Sequence, residues 1–410
     1  MYEKYRCNPF IGRNDKKNLI TIYTLGEQNL FYMKAKNLFL FASTVAGAVF
    51  FQACNKHESP PVCGGNNVTV TTSKVIATGL NNPRGLKFGP DGNLYVAEGG
   101  VGGKNFSTGC LQAPPPVGPY KGSDIGSRIS RIDWQGNRTT YVDHLPSCTA
   151  GAATGSGVTG MADVAFIDNT LYALIGGAGC SHGVPDIPNG IIKVNHDRTW
   201  SLVANYSAFI VAHPGVNYEP ADYTPDGNPF SMVAVNNNFY VIEPNTGVLD
   251  RITPGGSIQR VVDMSATLGH IVPTAVTFHN GNFFVGNLGT FPITGISNVY
   301  KVTPNGQISI YASGFSSILS VTFDDRDRLY VLENTVGAPG PTPGKGDIVR
   351  VDPSGERTVI TSGLHLPTAM TFGPDGNLYV SDWGIGPPGA GQIVQISFKC
   401  EFVHPDTKNQ

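Results

Sequence analysis

Short apolar runs recur along this chain in a fixed order, separated by turn residues. The nine residues Phe88–Val96 (FGPDGNLYV) return letter for letter at Phe372–Val380, and degraded copies lie between them. Each copy opens on a short apolar strand: Gly85–Phe88, Asp163–Phe166, Met232–Val235, Ala275–Phe278, Ser320–Phe323 and Ala369–Phe372. A tight turn leads to a second strand, which carries Tyr95-Val96, Tyr172-Ala173, Tyr240-Val241, Phe284-Val285, Tyr330-Val331 and Tyr379-Val380. After a variable loop come the third strands, Arg128–Asp133, Ile191–Asn195, Val248–Thr253, Val299–Thr303, Ile348–Asp352 and Ile393–Ser397. Period-two alternation runs through all of them, the mark of a strand with two different faces. Asp91-Gly92, Asp375-Gly376, Asn305-Gly306 and Ser354-Gly355 supply the positive-φ chemistry of hairpin turns.

The sequence therefore holds six copies of a four-stranded antiparallel unit, and repeats of this size and content read as propeller blades. The sixth copy lacks its own fourth strand. Lys74–Leu80 (KVIATGL) lies ahead of the first copy and matches the fourth strands Thr358–Leu364 (TVITSGL) and Ser309–Phe315 (SIYASGF). An all-β, six-bladed β-propeller over residues 74–399 follows, its ring closed by the N-terminal strand, with a tail at 400–410. Closure removes the exposed edges that an open row of sheets would present.

Composition agrees with this reading. Gly (51) and Pro (30) are abundant, charged residues make up 14%, and the net charge is −2. A nucleic-acid surface would need a basic patch that is not there. Met33-Lys34-Ala35-Lys36, the apolar run Leu38–Phe51 and the sequence Phe51-Gln52-Ala53-Cys54 have the order of a secretory signal. The run is too short to span a bilayer comfortably. A small residue before Cys54 resembles a bacterial lipoprotein signal, although Phe51 stands where Leu is usual; an ordinary signal peptide is the alternative. Residues 33–54 are then the leader, Cys54 the lipidation site, 55–73 a flexible tether and the protein an envelope lipoprotein in periplasm or at the surface. Such a leader works from the start of a chain, so Met33 is the expected initiator and residues 1–32 an upstream extension.

Export permits disulfides. Apart from Cys7 and Cys54, the cysteines are Cys63, Cys110, Cys148, Cys180 and Cys400. Cys110, Cys148 and Cys180 all fall in loop-like stretches of the first two copies, so one bridge among them fits. The spacing matches no zinc pattern, and the odd count leaves at least one thiol unpaired within the chain.

Nearly all the length variation falls on one face of the ring. Gly99–Ser127, Gly176–Gly190, Leu288–Ser297, Asn334–Gly346 and Trp383–Gly391 join second to third strands, while Pro146–Gly160 and Asn205–Pro229 link blades. The other face has only tight turns. Function concentrates on loops held by a rigid scaffold, so the looped face around the central channel is where a site is expected. Two residues past each Tyr-Val valine lies a column: Glu98, Ile175, Glu243, Asn287, Glu333 and Asp382. Oxygen ligands of this kind suit Ca²⁺ or Mg²⁺, though Ile175 interrupts the ring. The competing reading is that these groups accept hydrogen bonds from backbone at the strand ends. A second ring, Arg84, Asp163, Asn228, Thr274, Ser320 and Thr368, is positioned to face the channel or to satisfy backbone. No Gly-x-Ser-x-Gly elbow occurs; Gly155-Ser156-Gly157 lies in a Gly-rich link. His144, His182, His213, His270 and His279 share no metal spacing and read as loop or surface histidines, with His182 and His270 the two on the looped face to watch.

From about Lys74 to Phe398 the chain resembles the ScyD/ScyE family of exported bacterial β-propellers, relatives of the NHL-repeat and six-bladed TolB-like propellers. The resemblance rests on Asn82–Leu86 (NPRGL), Gly160–Phe166 (GMADVAF), Asn228-Pro229-Phe230, Val272–Thr277 (VPTAVT) with Gly289–Pro292 (GTFP), and Tyr311–Phe323 (YASGFSSILSVTF). It implies the fold and export but brings no catalytic residues. Two functions remain open. One is a monomeric, lipid-tethered binding module whose looped face docks a protein, glycan or small molecule, with membrane contact through the anchor and none with nucleic acid. The other is a hydrolase or isomerase using a channel-bound divalent cation, as six-bladed calcium-dependent lactonases do, with Glu98, Asn287, Glu333 and Asp382 as ligands. The His/Arg arrangement of a quinone-dependent sugar dehydrogenase is not recognisable.

Overall fold

The computed structural model describes residues 68–115, 117–151, 157–290, 292 and 295–400. The leader at 33–54 with Cys54, residues 1–32, Cys63, the tether up to residue 67, the Gly155-Ser156 pair and residues 401–410 lie outside the described residues. Six antiparallel sheets make up the fold. Five of them run outward in chain order, and their innermost strands are Pro83–Phe88, Met161–Ile167, Ser231–Val235, Pro273–His279 and Ile318–Phe323. The sixth starts at Ala369–Phe372 and continues through Leu378–Asp382 and Gly391–Cys400. Its outermost strand is Val68–Leu80, the first strand among the described residues. That strand begins six residues ahead of Lys74, because Gly391–Cys400 is long enough to pair it back to Val68. The six innermost strands touch one another in a cycle, with Pro83–Phe88 against both Met161–Ile167 and Ala369–Phe372.

The repeated FGPDGNLYV explains itself at the turn. Asp91 accepts hydrogen bonds from the Asn93 backbone N–H (3.2 Å), the Asn93 side chain (2.7 Å) and the Tyr95 hydroxyl (3.1 Å). Asp375 does the same with Asn377 (3.1 and 2.7 Å) and Tyr379 (2.8 Å). One carboxylate thus caps the turn and pins the ring of the next strand.

The second strands Leu94–Glu98, Leu329–Glu333 and Leu378–Asp382 are buried along their whole length, which gives the period-two alternation its physical meaning. Leu94 and Val96 pack toward blade six, whereas Tyr95 and Ala97 pack toward blade two. Leu329 and Val331 likewise face blade four, and Tyr330 and Leu332 face blade six. Both faces of each blade are apolar, and six separate cores fill the six interfaces. The core between the last and first blades holds Ala77, Leu80, Leu86, Leu94, Val96, Ile132, Tyr379 and Ile393.

The matching fourth strands share a Ser/Thr-Gly-Leu/Phe ending with a purpose. Gly79, Gly314 and Gly363 stand at φ 77, 79 and 82° and are skipped by the ladder, leaving a bulge. Glycine takes that conformation without strain, and the bulge turns the next side chain inward. Leu80, Phe315 and Leu364 are accordingly buried.

Two departures from the expected pattern shape the looped face. In blade one the third and fourth strands run to Lys121–Ile132 and Arg138–Thr149, far beyond the expected start at Arg128. A two-residue fifth strand, Val158–Thr159, is added outside them. The link after blade two forms a helix, Tyr206–Ala212, where a loop was expected. Asn205 caps it by accepting the Ala208 N–H (2.9 Å), and Tyr206 and Ile210 are fully buried beneath it. The Tyr206 hydroxyl donates to Asp250 (2.7 Å), which also receives Arg260 Nε (2.9 Å).

Leu80 sits at 0% exposure in the core between the last and first blades. Leu80→Ala is expected to destabilise the protein by about 2–5 kcal/mol, the range for emptying a packed leucine site. The shift of the urea midpoint measures it; a change below about 1 kcal/mol would mean that this interface is not part of the cooperative core.

Candidate functional site

The side chains of the column at the ends of the second strands are taken up by neighbouring backbone and side chains. Glu98 Oε2 accepts the Asn81 N–H (2.6 Å), and its Oε1 accepts Arg128 Nε (2.9 Å) and the Ser130 hydroxyl. Glu243 accepts the N–H groups of Asn228 (3.0 Å), Asn245 (3.1 Å) and Thr246 (2.7 Å), and the Thr246 hydroxyl (2.6 Å). The Asn287 amide donates to the Ile271 carbonyl (2.8 Å) and accepts the Asn298 N–H (2.7 Å). Glu333 accepts the Ser316 N–H. Asp382 accepts the His365 N–H (2.7 Å) and the Gln392 side chain (2.9 Å).

Asn81, Asn228, Ile271, Ser316 and His365 occupy one structural position. Each lies in the segment that leaves the previous blade and enters the first strand of its own. The backbone there has no ladder partner, so the strand-end side chain supplies one. Blade two has Ile175 in this place and shows why it needs no acceptor. Its entry segment, Val158–Thr159, is already held as the fifth strand of blade one. The expected metal ring of Glu98, Glu243, Asn287, Glu333 and Asp382 is therefore not gathered. Among the described residues no group of three His, Cys, Asp or Glu stands where it could hold an ion.

The inner ring works between blades. Thr274 donates to the Ile318 carbonyl and Thr368 to the Pro83 carbonyl (2.6 Å), each in the next blade. Asp163 accepts the Met232 N–H (2.9 Å) and the Val164 N–H (2.8 Å), and Ser320 accepts the Met370 N–H (3.2 Å). Arg84 reaches the Val158 carbonyl. Asn228, expected in this ring, stands instead at the entry position ahead of the strand Ser231–Val235, where Glu243 accepts its backbone N–H and Tyr120 engages its side chain. Burial pushes the Asp163 carboxyl up to about 6, against the pull of Lys87 and of its two N–H donors. The channel that these strands enclose has a cavity of about 40 Å³, lined by all six blades. That is room for water and far below the ~300–1,000 Å³ of a small-molecule site.

On the looped face a buried polar cluster sits where the elaborated loops of blades one and two meet. Cys110 and Cys180 form a disulfide across it, and Cys148 remains a buried thiol. The one bridge expected among these three cysteines is present, and its pairing is now given. His182 is fully buried, 3.9 Å from Asp226 and with its ring 4.6 Å from that of Tyr120. Neither imidazole nitrogen meets a hydrogen-bond partner at close geometry. Burial lowers the His182 pKa against the opposing charge of Asp226, so the ring is neutral at pH 7. The Cys148 thiol is pushed up to about 12, chiefly by burial, and is no nucleophile there. Burial also brings the Arg84 guanidinium down to about 10, which leaves it a cation beside this cluster. Nearby, His270 pairs with Asp222 at 3.1 Å; burial opposes its charge, but that hydrogen bond prevails and raises its pKa. Of these residues the sequence pointed to His182 and His270. Tyr120, Asp222 and Asp226 lie in irregular segments with no repeat to align them.

One strand-end carboxylate differs electrostatically from the rest. Glu333 faces Asp347 directly across the sheet, where Glu98 faces Arg128 and Asp382 faces Gln392. Burial pushes Glu333 up to about 8, resisted by the Ser316 N–H and reinforced by the Asp347 charge. Asp347 is raised as well, again by burial. At neutral pH the pair shares a proton.

No protein-family model and no curated protein matches this chain. Solved structures do. A gluconolactonase from Xanthomonas campestris is 10% identical over 82% of this chain and 96% of its own, with a TM-score of 0.50. The PQQ-bound aldose sugar dehydrogenase of Streptomyces coelicolor is 13% identical over 81% and 98%, at 0.48. A virginiamycin B lyase from Staphylococcus aureus is 12% identical over 81% and 99%, at 0.42. At such identities the likeness speaks for the fold and for nothing finer.

Two outcomes follow from these groups. The folded pKa of Glu333 lies above its unfolded value near 4.3, so the native state holds the extra proton. Its stabilising contribution is complete below about pH 4 and is lost as pH rises through about 8. Stability by urea unfolding should decline over that window, and Asp347→Asn should flatten the decline; equal slopes would refute the shared proton. Separately, the Cys110–Cys180 bridge spans 70 residues of sequence. A Cys110→Ser, Cys180→Ser variant should be less stable by about 2–4 kcal/mol in the same measurement.

Proposed function

We propose that this chain is an exported, lipid-anchored propeller of the ScyD/ScyE kind, tethered through Cys54, whose looped face binds a protein, glycan or small molecule without transforming it. The observation that carries this reading is how the candidate catalytic groups are used. The strand-end carboxylates and the inner-ring side chains engage backbone within and between blades. The loop of blade one instead turns large apolar groups outward. Val101, Phe106, Leu111 and Ile125 are 50, 51, 59 and 65% exposed. Four exposed apolar groups within one stretch, 101–125, support reading it as a contact surface. The disulfide and the buried Tyr120–His182 contact hold that loop in one shape, which lowers the entropy lost when a partner docks.

A photocrosslinker placed at position 106 or 125 in the native host should therefore capture a defined partner, and one placed at Asn377 on the opposite face should not. Equal capture from both faces would defeat the proposal. Loss of palmitate labelling in Cys54→Ala tests the anchor separately.

The second reading is the cation-dependent hydrolase, and one observation favours it. Glu333 and Asp347 bring two carboxyl groups together, and Asp347 Oδ1 has no hydrogen-bond partner. Ca²⁺ could replace the shared proton, with further oxygens from the Asn334–Gly346 loop. Thermal melting with Ca²⁺ separates the two readings. A rise in Tm at millimolar Ca²⁺ that vanishes in Asp347→Asn supports the hydrolase, and no shift supports the binding module.

A further inference from the structure

The face away from the long loops was expected to carry only tight turns. One of those turns is out of character. Between the third and fourth strands of blade one, Asp133 accepts the N–H groups of Gln135 and Asn137 (both 2.9 Å), and Gly136 closes the turn at φ 86°. This rigid turn presents Trp134 with 87% of its surface exposed. The fold does not require a tryptophan there. The corresponding residues, fixed by the same closing backbone bond, are His196, Pro254, Pro304 and Pro353 in blades two to five. A buried tryptophan removes 150–250 Å² from water, so leaving one exposed gives up a contribution on the order of several kcal/mol.

Trp134 overhangs a groove of about 340 Å³ between blades six and one. The floor is the edge-to-face pair Phe88–Tyr379, with ring centres 4.9 Å apart. The walls carry Lys74, Asp375 and Gln395. Lys74 is exposed and forms no ion pair with a described residue. The Gln395 amide donates to Asp375 (3.1 Å) and to the Tyr379 hydroxyl (2.7 Å), which leaves its carbonyl oxygen as the acceptor of that side chain. The groove thus combines one open aromatic plate, an ammonium donor, an amide acceptor and a carboxylate.

We propose that this groove is a saccharide-binding site with Trp134 as its stacking platform. A pyranose ring has one face of C–H groups, which packs on an indole plane, and a rim of hydroxyls that need both donors and acceptors. The volume lies in the range of small-ligand sites, ~300–1,000 Å³. Asp133 and Asp375 outnumber Lys74, which disfavours an anion. The neighbouring groove, between blades one and two, is about 520 Å³ and has the same build with His196 in the tryptophan's place. It serves as an internal control. This proposal concerns the opposite face and stands independently of the looped-face reading.

Acrylamide quenching of tryptophan fluorescence in the full-length protein tests it. The chain has three tryptophans, and Trp134 is the most exposed of them. The probes are cellobiose, maltose and N,N′-diacetylchitobiose at up to ~10 mM, above the ~1 mM Kd that corresponds to −4.1 kcal/mol. At least one sugar should shield Trp134 from acrylamide and shift its emission to the blue. The shielding should be lost in Trp134→Ala and kept in His196→Ala, both folded with unchanged melting. Shielding by none of the three sugars overturns the proposal. So does a sugar effect that survives in Trp134→Ala, which would place binding elsewhere. Shielding by a proline-rich decapeptide and by no sugar would assign the groove to a protein partner and overturn it as well.

Discussion

A four-stranded sheet that is apolar on both faces cannot stand in water; it must lie between two sheets like itself. Leu94 and Val96 on one side of a strand, with Tyr95 and Ala97 on the other, state that requirement in four residues. Six such sheets satisfy one another only if the last meets the first. The strand Val68–Leu80, paired with Gly391–Cys400, covers the outer edge of the sixth sheet next to that meeting point. The hydrophobic term is large but has no direction. It says that blades must pack, and leaves their angle and the path of the chain between them to the polar groups.

Those polar groups lie in two rings with separate tasks. Near the axis, Thr274, Thr368, Asp163 and Ser320 bond one blade's first strand to the next. At the strand ends, Glu98, Glu243, Asn287, Glu333 and Asp382 catch the segment entering their own blade. A hydrogen bond contributes about 0.5–1.5 kcal/mol, or about 1.5–3 kcal/mol where one partner is charged, and stranding a buried N–H costs about 1–3 kcal/mol. Such latches fix where each link enters. Ile175 is the informative exception, because the fifth strand of blade one holds its segment by backbone pairing instead. With the links fixed from below, the loops above them are free to differ in length and composition.

How much of this was legible in the sequence depends on whether a feature repeats. The PDGNLY turns, the six strand sets and the displaced Lys74–Leu80 strand are copies, and copies can be aligned. The positions of the strand-end acids were legible for the same reason. Their direction was not, because an oxygen that points at a channel and one that points at a neighbouring N–H look alike in one dimension. The helix Tyr206–Ala212, the long strands of blade one and the Tyr120–His182–Asp226 cluster are single occurrences built from distant segments, and nothing local announces them. Trp134 falls between these cases. It stands in an alignable turn, yet only its exposure in the structure marks it as unusual.

The central claim is that the strand-end carboxylates are latches on the entry segments. Hydrogen exchange at the His365 amide in wild-type protein and in Asp382→Ala tests it most directly. The latch predicts a protected His365 amide that becomes fast in the variant, while Val380 in the adjacent buried strand keeps its protection. A His365 amide that already exchanges freely in the wild type, or that ignores the loss of Asp382, would contradict the account.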